Sequence, residues 1–355
     1  MKHLFRNYQM SLDPFANGVN VSAGGAVLLG ANTSCDGFKT GRSVRVQSHV
    51  HEDHMKDFDR SKQFQSIYAT RATRDLLIAE RNADLPYRNN FIGLEYNKRV
   101  VMPGGEFLTL IPSGHMLGAA QILIERPDGL RIAYSGDFAW PLKEAVRADI
   151  LVVDSTYATG LGGPRRFTQA DADLALLELV SQKLRKGPVY LTGFRGVLHR
   201  AAEIICNGLC VSLIASDRFR RQAEVYQAHG RPIPTPYVTG DEQYAAYIEN
   251  GRYVVALLPG ERIPETNEGT SIQLTAYLAS RKEPVREWSS RSYSVAISDH
   301  ADFEGTLSYV QATGARAVVT DNTRGKAVEL AIEISTRLGI SAVASNDPAS
   351  NDWGA

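Results

Sequence analysis

Five short apolar runs in this chain each stop against residues that can do chemistry. Residues 44–46 (Val-Arg-Val) lead into a histidine-rich stretch, 130–134 into Asp137 and 150–153 into Asp154; 295–297 lead into His300 and 317–319 into Asp321. Apolar or alternating runs of this length, bounded by polar residues, read as strands. Layered α/β proteins place their chemistry at the carboxyl ends of strands. Five such ends converging on one edge predict an α/β fold with one chemical centre. Helices separate the runs. Thr168-Gln169-Ala170-Asp171 is a capping-box-like start, with Gly187 as the stop. Residues 197–207 read as a helix closed by Gly208, and residues 324–338 as one closed by Gly339.

Composition sets the outer limits. A chain of 355 residues with 43% hydrophobic content can bury roughly three quarters of its unfolded surface. Disorder is excluded, because apolar content is ordinary and 39 basic side chains balance 39 acidic ones. That balance excludes a uniformly basic coat but leaves room for a local basic groove. Three cysteines without a CxxC pair suit a reducing compartment. The start lacks an apolar signal core, and no run nears the ~18 apolar residues of a membrane span. The expectation is a cytoplasmic protein with no membrane contact. Between residues 159 and 290 a helix–strand alternation and a Pro/Gly/Glu-rich stretch near 259–270 suggest an inserted lobe. The expected division is 1–158 and 291–355 as two parts of one domain, with 159–290 inserted.

Three of the eight histidines fall within six residues, His49-Val50-His51-Glu52-Asp53-His54. Residues at i and i+2 of an extended segment project to one side. A helix starting near Asp53 then returns Asp53 and His54 toward the same point. Imidazoles with a carboxylate are what a Zn²⁺-type ion takes, and one such segment can serve two adjacent ions. A solvated loop explains an isolated HxH; four positions at fixed spacing after a strand pattern argue against it. Ser113-Gly114-His115-Met116-Leu117-Gly118 adds a histidine in a glycine-flanked turn, and Ser135-Gly136-Asp137 a carboxylate able to bridge two ions. His3, His199 and His229 lie outside these motifs and receive no metal role.

HxHxDH, SGHxLGAA and SGD, in that order, resemble the metallo-β-lactamase fold. Asp154-Ser155-Thr156-Tyr157 and Ile297-Ser298-Asp299-His300-Ala301-Asp302 resemble further motifs of its β-CASP nuclease branch. The nearest likeness is to bacterial ligase-associated DNA exonucleases, with Thr313-Gly314-Ala315 following as a turn. The likeness covers about 20–157 and 290–340, and in the inserted lobe mainly 189–203. It implies an αββα sandwich carrying an inserted β-CASP α/β lobe, with the site in the cleft between them. It implies that His49, His51 and His115 hold one metal, that Asp53 and His54 hold a second, and that Asp137 bridges them. Asp154 would orient His300, which acts as general acid or holds the scissile phosphate. Asp53, Asp137, Asp154 and His300 are thus the expected catalytic group. The metals, one or two Zn²⁺ with Mn²⁺ as the alternative, supply a nucleophile near neutral pH.

Two departures stand out. The family ends the strand before the HxHxDH strand with an aspartate; here residues 26–29 run into Gly30, and the nearest carboxylate is Asp36. Which residue supports the metal loop is therefore left open. The last motif lacks its histidine, and Asp321 is the candidate substitute ligand. The DNA cross-link-repair branch also lacks that histidine, and the DSTY spelling leans the same way. The expected activity is therefore a metal-dependent phosphodiesterase, a 5′→3′ DNA exonuclease in repair, with DNA favoured over RNA. The alternatives are an RNA-processing nuclease, a small-molecule metallo-hydrolase such as a thioesterase or lactonase, and a non-catalytic nucleic-acid scaffold. The long inserted lobe argues against a small substrate, and the intact ligand set against a scaffold. Ser155 and Thr156 can offer hydroxyls to a terminal phosphate. Arg195, at a helix start, is a candidate phosphate contact. Arg218, Arg220 and Arg221 read as a solvated face, and Phe194 and Tyr157 as core aromatics rather than base-stacking platforms.

Overall fold

The computed structural model describes residues 12–81, 84–156, 166–263, 269–276, 282–323 and 325–345. It is a mixed α/β protein with three sheets and, among the described residues, eight α-helices. The first sheet takes its six strands in sequence order: Asn20–Val21, Val27–Leu29, Thr33–Cys35, Val44–Val46, Ser66–Thr70 and Phe91–Leu94. The second runs from edge to edge as Ser341–Ala344, Ala317–Thr320, Ile150–Val153, Arg131–Tyr134, Ala120–Glu125, Phe107–Pro112 and Val100–Val101. Its first four strands are parallel to one another and the rest are antiparallel.

Strand periodicity shows how these two sheets pack. Ile150 and Val152 join Leu29, Val44, Leu108 and Ile122 in a core between the sheets. Leu151 and Val153 point the other way. They pack with Leu307 and Val310 of the helix Phe303–Thr313 and Leu330 and Ile334 of the helix Ala327–Leu338. A strand buried on both faces reads as an unbroken apolar run, which is why Ile-Leu-Val-Val does not alternate. The first sheet behaves alike: Tyr68 faces the inter-sheet core, while Ile67 and Ala69 face Leu76 and Leu77 of the helix Arg71–Arg81. Each such buried Leu or Ile contributes about 1.5–3 kcal/mol of transfer free energy.

The third sheet has the order Leu213–Ile214, Val254–Leu257, Val189–Thr192, Thr270–Leu274, Ser292–Val295, Val285–Ser289. All pairs are parallel except the last. Helices Gln169–Leu184, Val197–Leu209 and Asp217–Ala228 pack against it, and the same apolar core continues into Leu76, Leu77 and Phe91.

Several local expectations change. The strand Ser292–Val295 ends before Ile297. Gly208 lies inside its helix, which runs to Leu209 and closes on Cys210 in the left-handed conformation. The last helix begins at Ala327, and Arg324 and Tyr157 lie outside the described residues. The capping box at Thr168 and Asp171 forms as read. Among the described residues no helix is long and apolar enough to cross a membrane.

Candidate metal centre

The strand Val44–Val46 delivers the chain to His49 and His51, and a 3₁₀ turn over Glu52–His54, not an α-helix at Asp53, folds His54 back beneath them. His54 N donates to His51 O at 3.0 Å, and the His49 and His54 rings lie 4.0 Å apart. His115 arrives on a turn whose Gly118 has φ +82°; a Cβ there would sit 2.5 Å from Thr73 N. Gly118 O accepts from the hydroxyls of Thr70 and Thr73 at 2.7 and 2.9 Å.

Four ligand atoms meet. His49 Nε2 and His115 Nε2 each lie 3.1 Å from His51 Nδ1, and Asp137 Oδ2 lies 3.6 and 3.7 Å from the His49 and His115 nitrogens. Bonds of about 2.0–2.1 Å to a tetrahedral ion put neighbouring ligands about 3.3 Å apart, so the spacing suits one ion.

The hydrogen bonds on the outer side of each ring identify the inner atoms as lone pairs. His51 Nε2 faces Arg195 O, and His115 Nδ1 faces Asp299 O, each at 3.2 Å. A carbonyl only accepts, so both nitrogens carry the proton. Ser48 Oγ commits its hydrogen to Asp36 Oδ2 at 2.6 Å and therefore accepts from His49 Nδ1 at 2.9 Å. Three imidazole lone pairs and a carboxylate oxygen thus face one another in a buried space. Such an arrangement repels itself and fits a cation.

A second half-site adjoins it. His54 Nδ1 donates to Asp36 Oδ2 at 2.7 Å, which turns Nε2 toward Asp137 Oδ1 at 3.2 Å and Asp53 Oδ2 at 3.7 Å. Asp137 therefore presents one oxygen to each side. Asp53 sits at the rim, 65% exposed. His300 Nε2 lies 3.9 Å from Asp137 Oδ2, and Asp137, Asp154 and His300 form a further cluster of potential ligand atoms.

Electrostatics suit neutral rings around an ionised acid. Burial, reinforced by the neighbouring imidazoles, pushes His51 and His115 down to about 3 and His49 well below its usual value. Burial raises Asp137, but His54, His49 and His300 together outweigh it and hold the carboxyl well below the usual range.

The support of the loop, left open by the sequence, comes from Asp36. An additional strand, Thr33–Cys35, lies between Val27–Leu29 and Val44–Val46, and Asp36 follows it directly. Asp36 accepts from Ser48 N at 2.7 Å, from Ser48 Oγ and from His54 Nδ1. Arg45, which alternation places outward, is fully buried. It donates to Gln47 Oε1, Lys56 O, Ser61 Oγ and His54 O. Gln47 in turn donates to His49 O and His54 O. An isolated charge within a strand pattern is the only sequence trace of this scaffold.

The substrate-side candidates scatter. Ser155 is fully buried, so its hydroxyl does not reach the cleft, whereas Thr156 lines it and donates to Asp154 Oδ1 at 2.7 Å. Asp321 is buried, its Oδ1 accepts from Thr323 N and Oγ1, and it joins none of the ligand-atom clusters found among the described residues. Arg195 is committed elsewhere. It donates to Val50 O at 3.0 Å and pairs with Glu80 at 2.7 Å and Glu52 at 3.1 Å. Arg220 pairs with Asp241, Arg221 donates to Ala79 O, and Arg218 lines the cleft. His199 is stacked between Phe219 and Tyr226, and His229 pairs with Asp75. Phe194 is not a core residue: it is 69% exposed in the cleft wall.

No family model matches the chain. A stretch of 144 residues, 39% of the chain, is 26% identical to "Uncharacterized protein in lig 3'region" of Acidianus ambivalens and spans 99% of that protein. A stretch of 147 residues, also 39% of the chain, is 31% identical to Endoribonuclease YSH1 of Mycosarcoma maydis but spans only 16% of that protein. The fold is similar to a crystal structure of a protein of unknown function from Enterococcus faecalis V583. That likeness has a TM-score of 0.55 at 15% identity, over 80% of this chain and 76% of the other.

Proposed function

We propose that this chain is a metal-dependent nuclease of the metallo-β-lactamase fold with a β-CASP lobe. The observation that carries the reading is the inward set of lone pairs on His49, His51 and His115 against Asp137, each ring locked from outside. The two facing sheets with helices on their outer sides support an αββα sandwich. The third sheet, drawn from residues 189–295, supports an inserted lobe that reaches somewhat past residue 290.

His49, His51, His115 and Asp137 would hold one ion; His54, Asp53 and the other oxygen of Asp137 would hold a second. Such ions, Zn²⁺ or Mn²⁺, supply an activated nucleophile and stabilise charge on the phosphoryl oxygens. His300 Nε2 lies 3.9 Å from Asp137 Oδ2 at the edge of the centre. We assign it to holding a phosphoryl oxygen or protonating the leaving group, with Asp154 keeping it in place. Thr156 lines the cleft, and its hydroxyl would have to leave Asp154 Oδ1 to donate to a terminal phosphate.

The finer reading is a 5′→3′ DNA exonuclease in repair, supported by the DSTY and ISDHAD segments and by the absence of a last-motif histidine. The segment shared with an endoribonuclease favours RNA as the second reading. DNA and RNA of one sequence, labelled at either end and carrying 5′-phosphate or 5′-hydroxyl, decide between them in EDTA, Zn²⁺ and Mn²⁺. Metal-dependent shortening of 5′-phosphorylated DNA is the expected result. Preference for RNA selects the second reading, and no hydrolysis of either sinks the nuclease assignment.

A further inference from the structure

The ends of the lobe strands Val189–Thr192, Val254–Leu257 and Thr270–Leu274 form one wall of a cleft of about 840 Å³. His51, His115, Asp137 and His300 line the same cleft. The lobe wall is largely apolar, and Phe194 stands on it 69% exposed.

A single exposed phenylalanine on a convex surface needs no explanation. This one is concave-facing, beside the candidate ligands, and its backbone is fixed from both sides. Phe194 O accepts from Leu198 N at 2.9 Å. A Cβ on Gly193 would meet Leu274 Cβ at 3.2 Å. Next to it, Arg195 is tied to Val50 O and Glu80, and its own carbonyl receives His51 Nε2. Gly196 adopts φ +75°, and a Cβ there would lie 2.9 Å from Met116 Cβ. The same turn that steadies a candidate ligand therefore carries an exposed aromatic side chain in the lining of the same cleft.

We propose that Phe194 is the stacking platform for an unpaired base next to the scissile bond, so that the site selects single-stranded or frayed nucleic-acid ends. The proposal rests on the nuclease reading above. An aromatic face accepts any base but only one already out of its own stack. A base inside a duplex offers no free face, and a terminal base pair brings a second strand that a cleft of this volume does not admit. A cleft of this volume is of ligand size and takes about one or two nucleotides. Phe194 thus sets strand form rather than sequence.

The test pairs a protein change with a substrate change. Phe194→Ala is exposed and leaves the core intact; Phe194→Trp keeps a ring. Single-stranded oligonucleotides carry a normal or an abasic terminal nucleotide. Loss of one stacked base is expected to lower kcat/KM about 5- to 150-fold in F194A, with F194W restoring most of it. The abasic substrate should impose a similar loss on the unaltered protein and no further loss on F194A. Equal rates for F194A and the unaltered protein on both substrates would overturn the platform while leaving the nuclease reading intact. A second readout needs no turnover. In EDTA, an oligonucleotide ending in 2-aminopurine should be quenched by the unaltered protein and by F194W, and not by F194A. Quenching that is absent, or that persists in F194A, overturns the proposal even if neither DNA nor RNA is cleaved, an outcome that by itself removes only the nuclease reading.

Discussion

Asp36 Oδ2 accepts the Nδ1–H of His54 at 2.7 Å, with both side chains shut off from solvent. The same carboxylate takes both donors of Ser48, and Ser48 in turn accepts from His49. One acid therefore orients a histidine on each side of the candidate bimetal centre. Asparagine has one acceptor oxygen, and its amide hydrogens would face donors. Asp36→Asn should lower Zn²⁺ affinity about 10- to 100-fold, measured by competition with a chromophoric chelator. Unchanged affinity would show that the outer hydrogen bonds do not hold the ligands.

His51 Nδ1 is the hub of the first cluster, lying 3.1 Å from the ligand nitrogens of both His49 and His115. Asp137 is the group shared by both half-sites. His51→Ala and Asp137→Asn should each strip metal from the purified protein, read by elemental analysis, and abolish cleavage. Asp154→Ala should retain metal and lose most activity. Full metal content in D137N would remove the bridging role.

Arg45 is a buried cation whose donors fasten the backbone of the metal loop at His54 O and Lys56 O. Burial lowers its guanidinium to about 10, still charged at neutral pH. Arg45→Met fills similar space but leaves those carbonyls and Gln47 without their donor. Truncating one member of such a buried charged network costs about 3–5 kcal/mol, so the urea midpoint should fall well below that of the unaltered protein. A shift under about 1 kcal/mol would mean water replaces the guanidinium at little cost.

Much of the centre was legible in the sequence, and the misses share a cause. His49, His51, His54, His115 and Asp137 are encoded as spacing along short segments, which a reader can follow without a fold. Asp36 is not, because Thr33-Ser34-Cys35 before it carries no apolar run or alternation. Its neighbour in the sheet becomes evident only when Thr33–Cys35 is seen beside Val44–Val46. Arg45 is legible as a charge inside a strand pattern, but its surroundings are not: Phe58, with the ring under the guanidinium, and Ser61 cover it. Phe194 was read as a core residue. Hydrophobicity predicts burial, and only the cleft geometry shows why a ring stays exposed.

Acid should destabilise the metal-free protein. His51, His115 and His199 are held near 3 and His300 near 4, mainly by burial. The unfolded chain protonates these groups near the usual 6.5, so below that pH it binds more protons than the native state, and stability falls as pH falls. Asp137, held low, adds to the loss only near and below its ordinary value of 3.8. Asp299, raised to about 6 chiefly by burial, opposes them between its ordinary value of 3.8 and 6, as one group against several. The melting temperature in EDTA should therefore be flat above about pH 7 and drop steadily from pH 6.5 to pH 4. A melting temperature that holds through this window would contradict the buried, neutral histidines.

The helix Arg71–Arg81 is tied to the turn that opens the helix Val197–Leu209 by a buried ion pair, Glu80 with Arg195, whose side chains are 5% and 8% exposed. Glu80 also accepts from Gln222, while Arg195 reaches Val50 O and Glu52. Removing the cation alone strands a buried carboxylate and frees the backbone before His51. Arg195→Met should therefore cost about 3–5 kcal/mol and weaken metal binding. Glu80→Gln keeps a polar partner for Gln222 but leaves Arg195 without its buried counter-charge. In Glu80→Gln/Arg195→Met no unpaired charge remains, so the double variant should be more stable than the sum of the single losses predicts, by about 0.5–3 kcal/mol. Additive losses would show that the two side chains act separately. In that case Arg195 would hold the loop through Val50 O and Glu52 alone, and Glu80 would serve only the packing of Asp217–Ala228 on Arg71–Arg81.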